Sequence, residues 1–69
     1  MIVKGDVLIA HDDCESLFLT KGKEYEVILI GKRWTFAILN DRGSQCRFTM
    51  YPDSDGDSYK NFFIKKVFV

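Results

Sequence analysis

The feature of this sequence that most constrains its fold is the alternation of side chains over residues 24–31, which follow a Lys-Gly-Lys turn. Tyr25, Val27 and Leu29 fall on one face of an extended chain, whereas the other face changes from charged to apolar halfway along. A strand whose second face changes in this way leaves one region of a sheet and enters another, as happens when a small sheet bends into a barrel. The segment therefore predicts a long, bent strand.

The rest of the chain consists of short runs of β-branched and aromatic residues between turn formers, and no window has a convincing helical period. Residues 17–20 are expected to be extended, and 59–63 are long enough for a single 3-10 turn. The predicted strands are residues 7–11, 24–31, 34–40, 44–50 and 64–69. Cys46, Phe48 and Met50 alternate with polar residues and should face the core. The fold class is therefore all-β, a single domain over residues 1–69, with five strands forming a small barrel.

Composition sets limits on what such a domain does. The 69 residues are 46% hydrophobic and include ten aromatic side chains, so one dense core is expected. The chain has no run long enough for a signal peptide or a membrane span, and its two cysteines lack a metal-ligand spacing, which indicates a cytoplasmic protein with reduced thiols. Ten basic and ten acidic residues cancel, so the overall charge offers little attraction to a nucleic acid.

No motif for catalysis or metal binding emerges. The only histidine, His11, is followed by Asp12, Asp13 and Cys14, but adjacent side chains of an extended segment point in different directions. Three aspartates over residues 53–57 suggest calcium, yet the loop lacks the glycine and glutamate of an EF-hand and no helices flank it. We therefore expect no enzyme activity, no cofactor and no metal.

Trp34 is the strongest candidate for a recognition residue, because it follows Lys32 and Arg33 and because tryptophan and arginine are enriched in binding hot spots. The same residues with Arg42 would also suit single-stranded RNA or DNA, whose bases stack on rings while cations contact phosphates. In the competing interpretation the Trp34 ring closes one end of the barrel. We favour that packing role by a small margin, because Phe36 and Ile38 continue on its face.

A second candidate surface surrounds the acidic loop, where Tyr51, Tyr59, Phe62 and Phe63 occur close together in sequence. Phe63 and one tyrosine are expected to complete the core. Any remaining exposed rings would form a patch for a partner. The candidate partner-binding residues are thus Trp34, Lys32, Arg33, Arg42, Tyr51 and Tyr59.

The order "KGDVLIA", "LTKGKEYEVI", "NDRG" and "YKNFFIKKV" along the chain resembles that of small SH3-like barrel proteins encoded by tailed bacteriophages and prophages. The resemblance implies a five-stranded SH3-like barrel with a short 3-10 turn before the last strand. It also implies a non-catalytic module that binds and modulates a host or viral protein in the host cytoplasm, as a monomer or small homo-oligomer. Binding of single-stranded RNA or DNA is the alternative.

Overall fold

The computed structural model describes residues 2–50, 56 and 58–66 of the chain. Five strands form one antiparallel sheet in the order β4-β3-β2-β1-β5, and this sheet curls into a half-barrel. The strands are β1 (Val7–Ala10), β2 (Glu24–Ile30), β3 (Thr35–Leu39), β4 (Gln45–Thr49) and β5 (Phe63–Lys65). Short 3-10 turns cover Glu15–Leu17 and Tyr59–Asn61. The all-β class and the 3-10 turn before the last strand are confirmed.

Strand β2 bends at a β-bulge, because its register with β3 shifts between Val27 and Leu29. Tyr25 and Val27 are buried, but Leu29 is 42% exposed, so the prediction that these three residues share the core face is wrong for Leu29. The extra residue of a bulge exchanges the two faces of the strand beyond it. Ile30 pairs with Phe36 and is 43% exposed, so it also remains accessible at the end of the strand.

Aromatic rings dominate the core inside the curled sheet. The Phe48 ring centroid lies 5.1 Å from that of Phe63, 5.3 Å from that of Phe62 and 6.1 Å from that of Phe36. The predicted alternation of β4 is confirmed, since Phe48 and Met50 are buried and Cys46 is half-buried, while Gln45 and Arg47 are exposed. The buried hydrophobic residues are Ile2, Leu8, Ala10, Leu19, Tyr25, Val27, Phe36, Ala37, Ile38, Phe48, Met50 and Phe63.

The segment before β2 differs from the prediction of an extended run over residues 17–20. Backbone hydrogen bonds in both directions between Cys14 and Leu19, each 3.0 Å long, close a loop around the first 3-10 turn. Phe18 ends that turn with a left-handed φ of 58° and is 41% exposed. Cys14 and Cys46 are half-buried free cysteines. Within the described residues, no helix has the length and apolar character needed to cross a membrane.

Candidate functional site

The connection between β2 and β3 is a tight turn over residues 31–34. The Gly31 amide donates a hydrogen bond to the Thr35 carbonyl at 2.9 Å, and the Thr35 hydroxyl donates one to the Lys32 carbonyl at 2.7 Å. A Cβ at position 31 would stand 2.5 Å from Thr35 Oγ1, so the close approach requires glycine there. These bonds fix the position of the turn in which Arg33 and Trp34 leave the sheet.

Arg33 and Trp34 both adopt left-handed backbone conformations, with φ angles of 56° and 64°. For a residue with a Cβ this region costs about 1–2 kcal/mol. The Met50 amide holds the turn by donating a hydrogen bond of 2.7 Å to the Trp34 carbonyl. The result is a strained turn joined to the strand-β4 side of the sheet through Met50.

Trp34 is 53% exposed, so the prediction that its ring packs over the barrel end is wrong. The physical reason is the position of the strand start. Strand β3 begins at Thr35 rather than at residue 34, and the left-handed backbone at Trp34 removes its side chain from the alternation that buries Phe36 and Ile38. The ring stands beside the barrel end instead of closing it.

An apolar groove of about 540 Å³ opens next to the Trp34 ring. Ile2 and Met50, both buried, belong to the core and form its base. Its lining residues are Ile2, Val3, Ile30, Gly31, Arg33, Trp34 and Met50. Val3 and Ile30 are 52% and 43% exposed, so with Trp34 they leave three large apolar side chains accessible around one depression. We call this depression the Trp34 groove.

Basic residues occur in, or next to, the segments that form the Trp34 groove. Lys4 follows Val3 in the chain, Lys32 and Arg33 belong to the turn, and one guanidinium nitrogen of Arg47 lies 3.7 Å from the position that a Cβ of Gly31 would take. No carboxylate is among the described residues that line the groove. Asp6 accepts a hydrogen bond of 2.8 Å from the Val3 amide, but it is also ion-paired with Lys65 at 3.3 Å. Within the described residues, the groove is therefore lined by apolar side chains and one cation, Arg33, with the Arg47 guanidinium close to Gly31.

Two other predicted binding residues, Arg42 and Tyr59, do not join this site. Arg42 lies in the β3–β4 turn, at the far end of the five-residue strand β3 and hence about 17 Å away, with its guanidinium 4.8 Å from the centroid of the Phe18 ring. Tyr59 is half-buried and packs edge-on against Phe36, 5.8 Å between ring centroids. Tyr51 lies outside the described residues, as do the aspartates at positions 53, 55 and 57. Among the predicted binding residues that the structure describes, it thus brings together only Lys32, Arg33 and Trp34.

Sequence reasoning missed the apolar members of the groove, namely Ile2, Val3, Ile30 and Met50. Ile30 carried a signal, because it extends the apolar half of a face that begins with Glu24 and Glu26. No pattern in the sequence indicated that Ile2 and Val3 contribute to the groove. They reach the groove through the fold, since the Gly5 amide that follows them donates to the Val27 carbonyl at 2.9 Å.

The end of the sheet opposite the groove contains a polar network around Asp41. Thr20 Oγ1 and Lys23 Nζ each donate to the Asp41 carboxylate at 2.6 Å, and the Tyr25 hydroxyl donates at 2.9 Å. The bonds from Lys23, Thr20 and Tyr25 lower the pKa of Asp41 from 3.8 to about 2. The bond to Asp41 raises the pKa of Lys23, whereas burial raises that of Tyr25. A carboxylate held by three donors is a poor proton acceptor, so the network has a structural character.

The remaining polar cluster, around His11, lacks the geometry of a catalytic triad. His11 Nδ1 is 3.2 Å from Asp12 Oδ2 and Nε2 is 3.2 Å from the Lys60 carbonyl, whereas Cys14 Sγ is 3.5 Å from Ser16 Oγ. The imidazole is thus not engaged with the thiol. Among the residues that the structure describes, no three His, Cys, Asp or Glu side chains are grouped to hold a metal ion.

No family model matches the sequence, and no match was found among curated proteins or solved structures. The class of protein is therefore defined by the fold and the groove alone. It is a small all-β half-barrel with an apolar depression at one end of the sheet.

Proposed function

We propose that this chain is a non-catalytic SH3-like interaction module of phage or prophage origin that binds and modulates a host or viral protein through the Trp34 groove. The observation that carries the proposal is the strained turn that keeps a tryptophan exposed beside accessible apolar side chains. Five antiparallel strands in a curled sheet and a 3-10 turn before the last strand support the SH3-like assignment.

Exposure of these apolar side chains favours binding over packing. Contiguous apolar patches on a monomer mark interaction sites, and tryptophan and arginine dominate the binding energy of interfaces. Here Trp34 and Arg33 are neighbours on one groove, and both occupy conformations that cost free energy. Backbone strain of this kind concentrates at functional sites, where the strained geometry is part of the mechanism.

The lining of the groove also supports a non-catalytic role. Among its described lining residues, Arg33 supplies the only charged side chain, and the others are apolar or glycine. Such a surface offers a place for apolar anchors and no paired nucleophile and base. We place the module in the host cytoplasm, as a monomer or a small homo-oligomer.

Affinity capture from a bacterial lysate tests this function when the Trp34→Ala variant is compared with a matched control. Phe18→Ala is that control, because Phe18 is also an exposed aromatic residue with positive φ but lies at the opposite end of the sheet. We expect one or a few proteins to be retained by the parent chain and by Phe18→Ala and lost with Trp34→Ala. Recovery of the same proteins with all three chains would contradict a role for the groove.

Binding of single-stranded RNA or DNA is the alternative function, and Lys32, Arg33 and Trp34 lie together as it requires. Its signature would be an oligonucleotide affinity that falls steeply with salt. Separation of Arg42 from this group weakens the alternative, since it leaves fewer cations near the ring.

A further inference from the structure

We propose, building on the binding function above, that the ligand of the Trp34 groove is an acidic segment of a partner protein, with bulky apolar side chains flanked by aspartate or glutamate. Three properties of the groove carry this inference: its size, its apolar lining and the charge around it.

The size of the groove indicates that it takes more than one side chain. Its volume is about 540 Å³, whereas an apolar cavity of about 150 Å³ already accommodates benzene. Ligand-binding clefts span about 300–1,000 Å³. A segment that inserts neighbouring apolar residues therefore fits better than a single anchor.

The lining favours hydrocarbon over a nucleobase. A base carries hydrogen-bonding groups on its edges, and burying them without partners is costly. The groove offers few partners, because Arg33 is the only polar side chain among its described lining residues and the Gly31 amide is already bonded to the Thr35 carbonyl. Trp34 is the only aromatic residue in that described lining, whereas single-strand binders stack successive bases on several rings. Leucine, isoleucine and phenylalanine side chains have no such requirement.

The charge around the groove selects an acidic ligand. Arg33 lines the groove, the Arg47 guanidinium lies beside Gly31, Lys4 and Lys32 are chain neighbours of lining residues, and no carboxylate is among the described lining residues. Acidic residues on either side of an apolar anchor would meet these cations. Exposed ion pairs are individually weak, but opposite charges across an interface set specificity and increase the association rate. The apolar contacts would then supply most of the affinity, and the charges would make the groove select acidic ligands.

Trp34 is the single tryptophan of the chain, so its fluorescence reports directly on the groove. The probes are three octapeptides in which leucine and phenylalanine alternate with aspartate and glutamate, with asparagine and glutamine, or with lysine, and a single-stranded oligothymidylate. We expect the acidic peptide to shift Trp34 emission to the blue and to bind about tenfold more tightly than the amide peptide, with the lysine peptide weakest. The difference should shrink between about 0.1 M and about 1 M NaCl, where the screening length falls from about 10 Å to about 3 Å.

Charge reversal provides the matched pair of variants. Lys32→Glu/Arg33→Glu should reverse the preference so that the lysine peptide binds best. Lys21→Glu/Arg42→Glu makes the same change in net charge at the opposite end of the sheet and should leave the acidic preference intact. Circular dichroism confirms that both variants are folded.

The outcomes separate this inference from the proposed function. If lysate proteins depend on Trp34 but the three peptides bind equally, the acidic ligand is refuted and the binding function stands. Tighter binding of oligothymidylate than of any peptide overturns the inference in favour of nucleic acid. Peptide-independent self-association by light scattering, lost with Trp34→Ala, overturns it in favour of a second copy of the chain. No change of emission with any probe, together with no Trp34-dependent protein from the lysate, overturns both.

Discussion

Truncation of Phe48 should remove a large part of the stability of this domain. Phe48 is 3% exposed and its ring lies among Phe36, Phe62 and Phe63, so Phe48→Ala leaves a cavity enclosed by other rings. Such truncations cost about 3–5 kcal/mol. At about 0.05–0.15 kcal/mol per residue, 69 residues give a total stability of about 3–10 kcal/mol. We therefore expect urea denaturation to show a midpoint reduced by roughly half or more, or no cooperative transition.

Trp34→Ala is the control for this experiment, because it removes an even larger aromatic ring from an exposed position. About half of Trp34 is in contact with solvent, so only about half of the roughly 1.5–3 kcal/mol from full burial is lost and no enclosed cavity remains. The expected cost is about 1 kcal/mol, and the emission of the parent chain should be that of a tryptophan in water. Equal losses for the two variants, or blue-shifted emission of the parent chain, would refute the assignment of Phe48 to the core and of Trp34 to the surface.

Three further perturbations test the two ends of the sheet. Because its folded pKa of about 2 is below 3.8, Asp41 contributes stability above about pH 4 that is lost as the pH falls toward 2. The melting temperature of the parent should therefore drop more between pH 5 and pH 2 than that of Asp41→Asn. Parallel plots of melting temperature against pH for the two chains would argue against a stabilising role of the hydrogen bonds to Asp41. Arg33→Gly should raise the free energy of unfolding by about 0.5–1 kcal/mol, since glycine adopts positive φ without strain at some entropic cost; a lower melting temperature would contradict this. Gly31→Ala should destabilise by about 1–3 kcal/mol through the clash with Thr35, and an unchanged melt would show that the Thr35 hydroxyl moves aside without cost.

Local patterns in the sequence were sufficient to predict most of the strands. The alternation of Cys46, Phe48 and Met50 identifies the inner face of β4, because side chains of a strand alternate whatever surrounds them. The hairpin between β3 and β4 is also local, since Gly43 with a φ of 77° supplies the left-handed residue of the short turn between them. These features require no knowledge of distant contacts.

The bulge in β2 and the orientation of Trp34 could not be predicted in the same way. A bulge interrupts the alternation between Val27 and Leu29, but its position depends on how β2 pairs with β3. Trp34 leaves the predicted strand because the turn that begins at Gly31 puts its backbone in the left-handed region, although its carbonyl still accepts a hydrogen bond from the Met50 amide in the register of β3 and β4. The groove depends on both features, so the sequence identified its basic residues and its ring but not its apolar base.

The two ends of strand β3 differ in backbone strain, which involves one residue, Phe18, near Asp41 and two consecutive residues, Arg33 and Trp34, at the other end. At the Asp41 end three donors meet one carboxylate, and the exposed Phe18 ring is accompanied by the Arg42 guanidinium. At the Trp34 end the backbone is strained at consecutive residues, at about 1–2 kcal/mol each. For a domain with about 3–10 kcal/mol in total, a strain of this size is a substantial fraction of the stability. A glycine at position 33 would relieve part of it, so the arginine there costs stability that a contact between the turn and a partner would offset.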